Sequence, residues 1–201
     1  MQYHSLSFAL FNQLGYEHPF IYVWYEYNTD IHSSVYLAYG GYYRQAIGLL
    51  RPWIELVLAG LFFEKQPKEE FQYWLEGKNR TPSIQTSIKK IWSTNKPNWL
   101  VSLEQLADEL DKYIHSRGIE KVKLQAGRDN VPRYIPHAYD IWYQLFKRCF
   151  ASYTEILVNT HPNELINYFE PAKNETRTLY SSIPDDLQYI IEPIILLRDD
   201  L

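Results

Sequence analysis

Arg44, Arg51 and Glu55 lie in the run YLAYGGYYRQAIGLLRPWIELVLAGLF over 36–62. Helical spacing puts the three within about 40° of one another. Nearly every other residue of the run is apolar or aromatic. Two cations and a carboxylate on one narrow stripe of such a helix make either a structural network or the wall of a polar pocket. Arg51 and Glu55 form an i,i+4 pair in the less favourable order. Burying that pair would add a desolvation penalty that offsets most of its attraction. Gly41, Gly48 and Ala59 flank the stripe, where a second backbone fits closely.

A second set of candidates surrounds His115. On the helix that ends there, Glu104, Asp108 and Asp111 share its side, opposite an apolar face of Leu103, Leu106, Ala107, Leu110 and Ile114. Carboxylates one turn away favour the charged imidazole. Beside Arg117, such a ring is suited to meet a phosphate or to act as an acid. The alternative is a solvated acidic face closed by a His at a helix C-terminus, where positive charge is favoured in any case.

The third set is Arg128, Arg133 and Tyr134, where cations and a ring alternate as a strand of RNA requires: charge for phosphates, a face for a base. From Arg117 to His137 five basic residues stand against Glu120 and Asp129, a local balance of +3. From Pro162 to Leu201 eight acids stand against Lys173, Arg177 and Arg198, a local −5 that is suited to neutralise the basic stretch. The whole chain carries −4, which argues against general nucleic-acid binding.

Other chemistry finds little support. The six His are scattered, without a His-Glu-x-x-His motif, and one Cys cannot build a structural zinc site. No metal or cofactor is expected. There is no Gly-x-Ser-x-Gly elbow, and Gly40-Gly41 lacks the Lys and hydroxyl of a phosphate loop. Cys149 follows Lys147 and Arg148, yet neighbours in sequence point to different helix faces, so it reads as a core residue.

These residues need helices to position them. The 201 residues suffice for a well-filled core. With no alternating strand pair, the expected class is all-α, an antiparallel helical bundle with a long central helix. That helix is predicted to begin at Ser33 or Ser34 as N-cap and to kink or divide at Arg51, before Pro52. Further helices are expected over 6–14, 68–75, from Pro82 after a Thr81 cap, from Ser102 to His115 behind a Ser102-to-Gln105 capping box, over 138–158, over 163–170 and over 184–197. FIYVWYEY has strand propensity but no partner strand, which favours helix. Residues 118–136 are expected to form a long loop. The expectation is a single helical domain over 1–201, with a bundle core at 34–160 and an acidic helical extension at 161–201.

One Cys permits no intramolecular disulfide, which suits a reducing compartment. The start lacks a basic, then apolar leader pattern, and the run from Trp53 to Phe63 is interrupted by Glu55 and short for a bilayer. A cytoplasmic location without membrane association is expected.

The stretch from Tyr43-Arg44 through Leu50-Arg51 to Glu55-Leu56, together with Leu110-Asp-Lys-Tyr113-Ile-His115-Ser116, resembles the HEPN superfamily over roughly residues 34–160. The resemblance implies a small helical bundle, often dimeric, of the kind found in prokaryotic defence and toxin-antitoxin loci. Many members are metal-independent ribonucleases with an Arg-x4-6-His pair. His115 matches the His of that pair, but Asp108, Glu109 and Leu110 stand where the Arg belongs, and three residues separate Arg133 from His137. The resemblance then implies RNA binding or interaction with a partner protein, in a homodimer, without catalysis. The alternatives are an endoribonuclease, with His115 as acid or base and Arg117 on the phosphate, and a subunit that serves assembly alone.

Overall fold

The computed structural model describes residues 10, 14, 15, 17–92, 97, 99–114 and 133–169. Among these the chain is all-α. The helices are α1 (Pro19–Tyr39), α2 (Tyr43–Glu64), α3 (Lys68–Leu75), α4 (Ile84–Ile91), α5 (Trp99–Ile114), α6 (Pro136–Thr160) and α7 (Pro162–Phe169).

The expected long central helix is instead two helices. The aromatic segment FIYVWYEY belongs to α1, which runs on through Ser33 and Ser34 to Tyr39. The break falls at Gly40-Gly41, not at Pro52. The Tyr42 N–H donates to the Leu37 carbonyl at 2.8 Å and the Gly41 N–H to that of Ala38 at 3.0 Å. This pair of bonds closes a helix around a left-handed residue, here Gly41 at φ +81°. The same stop recurs after α3, at Gly77. Pro52 lies inside α2, which continues through it. The carbonyl that loses its partner belongs to Gly48.

Starts shift as well. Ser83, not Thr81, caps α4 by accepting from the Thr86 N–H at 3.2 Å. α5 begins at Trp99, so Ser102 lies within it. α6 starts with Pro136, whose fixed φ suits a first helical turn. α3 and α7 fall close to where the sequence puts them. The expected loop over 118–136 lies mostly, and the tail helix over 184–197 wholly, outside the described residues.

α2 is the centre. α1 folds back along it, and α4, α5 and α6 pack on its other sides. Matched partners give the directions. Val23 and Phe20 of α1 meet Gly60 near the end of α2, whereas Ser34 meets Ala46 near its start. Tyr139, Tyr153 and His161 of the last long helix and its cap lie beside Tyr43, Trp53 and Glu64 in turn. α1 is therefore antiparallel to α2, and α6 is parallel to it. Gly60, not Gly48, is where the backbones of α1 and α2 approach: a Cβ on Gly60 would lie 3.0 Å from the Phe20 Cα, while one on Gly48 would meet nothing within 4 Å.

By length and composition α2 could cross a bilayer, since the helix is longer than the apolar run inside it; most of it is buried against its neighbours. The core includes Ile47, Leu50, Trp53, Ile54, Val57 and Leu58 of α2, with Leu103 and Leu110 of α5 and Leu145 and Ile156 of α6. Ala59, Phe63 and Phe71 form a smaller cluster between α2 and α3.

Ser34 joins three helices where a cap was expected. Its buried hydroxyl donates to the Ala46 carbonyl at 2.7 Å and accepts from Trp142 Nε1 at 3.0 Å. Ser34→Ala strands the indole N–H, so a loss of about 1–3 kcal/mol is expected in urea unfolding, at unchanged m-value. A loss below ~0.5 kcal/mol would show that the bonds are not formed.

Candidate functional site

The polar stripe of α2 faces α5. Arg51 Nη2 lies 2.9 Å from Glu55 Oε1, and Nη1 lies 2.5 Å from Asp111 Oδ1. Nη1 also donates to the Ala107 carbonyl at 3.4 Å. The three charged side chains are 20%, 29% and 28% exposed, so they are neither buried nor free in solvent. Two carboxylates and a carbonyl thus occupy the guanidinium. These contacts pin the last turns of α5 to the middle of α2. Asp111, assigned by its spacing to a solvated acidic face, turns out to be part of it. A further pair, Arg148 Nη1 to Glu109 Oε2 at 2.6 Å, ties α6 to α5.

Arg44 lies on the same side of α2, half-buried and about 10 Å along the axis from Arg51, as seven residues of helix require. His115 and Arg117, the expected acid and phosphate cation, lie outside the described residues, as does Arg128.

Arg133 and Tyr134 are described, and they reach the opposite end of α2 from Glu64. The Arg133 backbone lies across Gly41: a Cβ there would be 2.6 Å from the Arg133 N and O. The Ile135 N–H donates to the Tyr43 hydroxyl at 3.3 Å. These contacts bring the start of α6 onto the turn between α1 and α2. There Tyr134 and Tyr139 lie 5.8 Å apart, and Tyr139 stacks on Tyr143 at 6.1 Å and 9°. Lys147 continues the row with its Nζ 4.9 Å from the Tyr143 ring centre. Tyr139 also lies near Tyr43 and Tyr39. Burial, and then the phenols of Tyr39, Tyr143, Tyr134 and Tyr43, push its own hydroxyl above the ordinary value, so it remains a neutral ring.

This end exposes large rings. Tyr36 and Tyr39 are 78% and 77% exposed, Tyr134 is 67%, and Tyr42 is also open. Three residues apart on α1, Tyr36 and Tyr39 share a face. Arg133 and His137 are exposed here with them, and Asp140 is the nearby acid on α6. Ring faces and cations together offer stacking and phosphate contacts.

The sequence drew attention to Tyr134 but missed Tyr139, Tyr143 and Lys147. Their i,i+4 spacing on α6 was the available signal. It also missed His18, Glu64 and His161, which meet at the other end of the bundle from three distant places in the chain.

Cys149 is fully buried, and burial pushes its thiol far above the ordinary range, so it is no nucleophile. Among the described residues no group of three or more His, Cys, Asp or Glu is arranged to hold a metal ion. Compared with family models, curated proteins and solved structures, the chain matches none of them.

Proposed function

We propose that this chain is a helical, HEPN-like binding module that takes single-stranded RNA on its tyrosine-bearing end and does not cleave it. The observation that carries this is the row Tyr134, Tyr139, Tyr143 and Lys147, set beside Arg133 and among the exposed Tyr36, Tyr39 and Tyr42. Stacking on tyrosine tolerates any base and requires that the base be unpaired. A duplex hides those faces, and its deep major groove excludes side chains.

Fluorescence anisotropy with a labelled single-stranded RNA tests this. Tyr134→Ala is expected to weaken binding by about 1–3 kcal/mol, or roughly 5- to 150-fold. Arg133→Ala is expected to weaken all sequences alike and to reduce the salt slope by about one. A duplex of the same sequence should bind less tightly. RNA left intact through these measurements supports binding alone. Cleavage lost in His115→Ala, at equal stability, would favour the ribonuclease instead. No affinity at low salt, with a stable dimer in sedimentation, would leave only assembly.

A further inference from the structure

α1 has two sides of different character. Val23, Tyr27, Ile31, Ser34 and Ala38 are buried. The opposite side is exposed along its whole length, and Tyr22, Tyr25, Thr29, His32, Tyr36 and Tyr39 line it at intervals of three and four residues. That is a heptad spacing, the period at which one helix seats a second along a common seam. The four rings are between 44% and 78% exposed. Tyrosine is only a middling helix former, so four of them in one open line are not explained by the stability of α1 itself. Single exposed rings are ordinary, whereas a continuous row of them marks an interaction surface.

The centre of the line is prepared for burial. Thr29 Oγ1 donates to the Tyr25 carbonyl at 3.2 Å, so its hydroxyl hydrogen is already satisfied within the helix. α1 carries no Lys or Arg, and Glu26 is its exposed acid, so a helix docked here desolvates little charge.

The line also reads alike in both directions. Counted from its two ends, Tyr22 corresponds to Tyr39, Tyr25 to Tyr36 and Thr29 to His32, around a centre between Asp30 and Ile31. A two-fold interface needs this property, because each of its contacts occurs twice with the roles exchanged.

We propose that the outer face of α1 is a self-docking surface, on which α1 of a second copy lies antiparallel about a two-fold axis between residues 30 and 31. Tyr22 then packs on the partner's Tyr39 and Tyr25 on the partner's Tyr36, while Thr29 meets the partner's His32. The two Glu26 stay about 13 Å apart along the axis, more than the roughly 8 Å over which physiological salt screens charge. Antiparallel axes also set the helix dipoles head to tail. Arg133 lies across the turn after α1, so the pair keeps its two Arg133 at opposite ends. A parallel pair would align the dipoles and bring those cations together. The exposed parts of the tyrosines of both copies offer up to about 1,000 Å², near the lower limit for a specific interface, so the dimer dissociates on dilution. The seam does not depend on RNA binding. It uses Tyr36 and Tyr39 and leaves the row from Tyr134 to Lys147 on α6 open at each end of the pair.

Sedimentation velocity of the full chain over a range of concentrations should show a monomer–dimer equilibrium. Tyr25→Glu should weaken it at least about tenfold, because the change acts twice in each dimer. At concentrations where both chains are monomeric, its circular dichroism and urea midpoint should match those of the parent. Tyr25→Glu should also leave RNA affinity per chain as it is, and Tyr134→Ala should leave the dimer as it is, so either reading can fail without the other. Cysteine pairing tests the register, and native Cys149 is buried and does not interfere. Tyr25→Cys and Tyr36→Cys should form a disulfide-linked dimer when mixed, far faster than either alone. Fast linkage of Tyr36→Cys to itself would mean a parallel pair and overturns the proposal. So does a chain that stays monomeric at every concentration, or a dimer that Tyr25→Glu and Tyr36→Glu both leave intact, because the second copy would then dock elsewhere.

Discussion

Gly41→Ala is expected to cost about 2–6 kcal/mol and to loosen the start of α6 from the bundle. Two separate penalties add at this position. The first is conformational: Gly41 holds φ +81°, where a side chain strains the backbone. The second is overlap: the new Cβ would lie 2.6 Å from the Arg133 N and O and 2.9 Å from its C. These are backbone atoms, so no rotamer change relieves the contact. Gly77→Ala separates the penalties. Gly77 has φ +71° and the same pair of closing bonds, but its Cβ would meet nothing within 4 Å. It should cost about 1–2 kcal/mol, from strain alone. Urea unfolding of both variants gives the difference. Equal losses would mean that residue 133 does not rest on this turn. Because Arg133 and Tyr134 move with the contact, Gly41→Ala should also weaken RNA binding, while Gly77→Ala should not.

The same glycine explains where the sequence was legible and where it was not. The helical character of 36–62 was plain, because apolar residues recur through it without a strand's alternation. Its division was misplaced, because Pro52 is the stronger breaker in an isolated helix. In the folded chain, Pro52 costs one hydrogen bond at Gly48, and the packing of α1, α4, α5 and α6 on α2 outweighs that loss. Gly40-Gly41 breaks the run because its stop uses backbone bonds alone. Ser34 failed as a cap for a related reason. A Ser before an apolar run signals a helix start, but a buried Ser facing an indole N–H and a carbonyl serves equally well inside one.

The candidate sites divide along the same line. Arg51 and Glu55 could be paired from spacing, since they share one helix. Asp111 could not be added, because only the packing of α5 on α2 sets which face of α5 turns inward. His18, Glu64 and His161 are separated by most of the chain and carry no local pattern. They meet because α1 runs against α2 while α6 runs with it, which brings one beginning and two ends to the same place. Tyr139 and Tyr143 were accessible by their spacing, but so many tyrosines precede them that two more drew no notice.

Trp53→Ala is expected to cost about 3–5 kcal/mol, a large share of the roughly 5–15 kcal/mol that holds a typical domain folded. Trp53 is fully buried at the middle of α2. Its ring lies 5.7 Å from that of Tyr153 on α6, and the Tyr153 hydroxyl lies 3.3 Å from that of Tyr27 on α1. Removing the indole therefore leaves a cavity where three helices meet and takes away the surface that sets the angle of Tyr153. Helices on every side keep the cavity from closing by a simple shift, which places the cost in the upper part of the large-to-small range. Trp53→Phe retains a ring against Tyr153 and should lose only about a third to a half as much, since the cost grows with the volume left empty. Far-UV circular dichroism in a urea series measures both variants without relying on the deleted fluorophore. Losses that differ by less than about 1 kcal/mol between them would mean that ring contact, not filled volume, holds this junction. A loss near zero in Trp53→Ala would mean that α6 is not packed on the middle of α2 at all. The tyrosine row and the meeting of His18, Glu64 and His161 would then lose their common support, because the same α2–α6 pairing aligns both ends of the bundle.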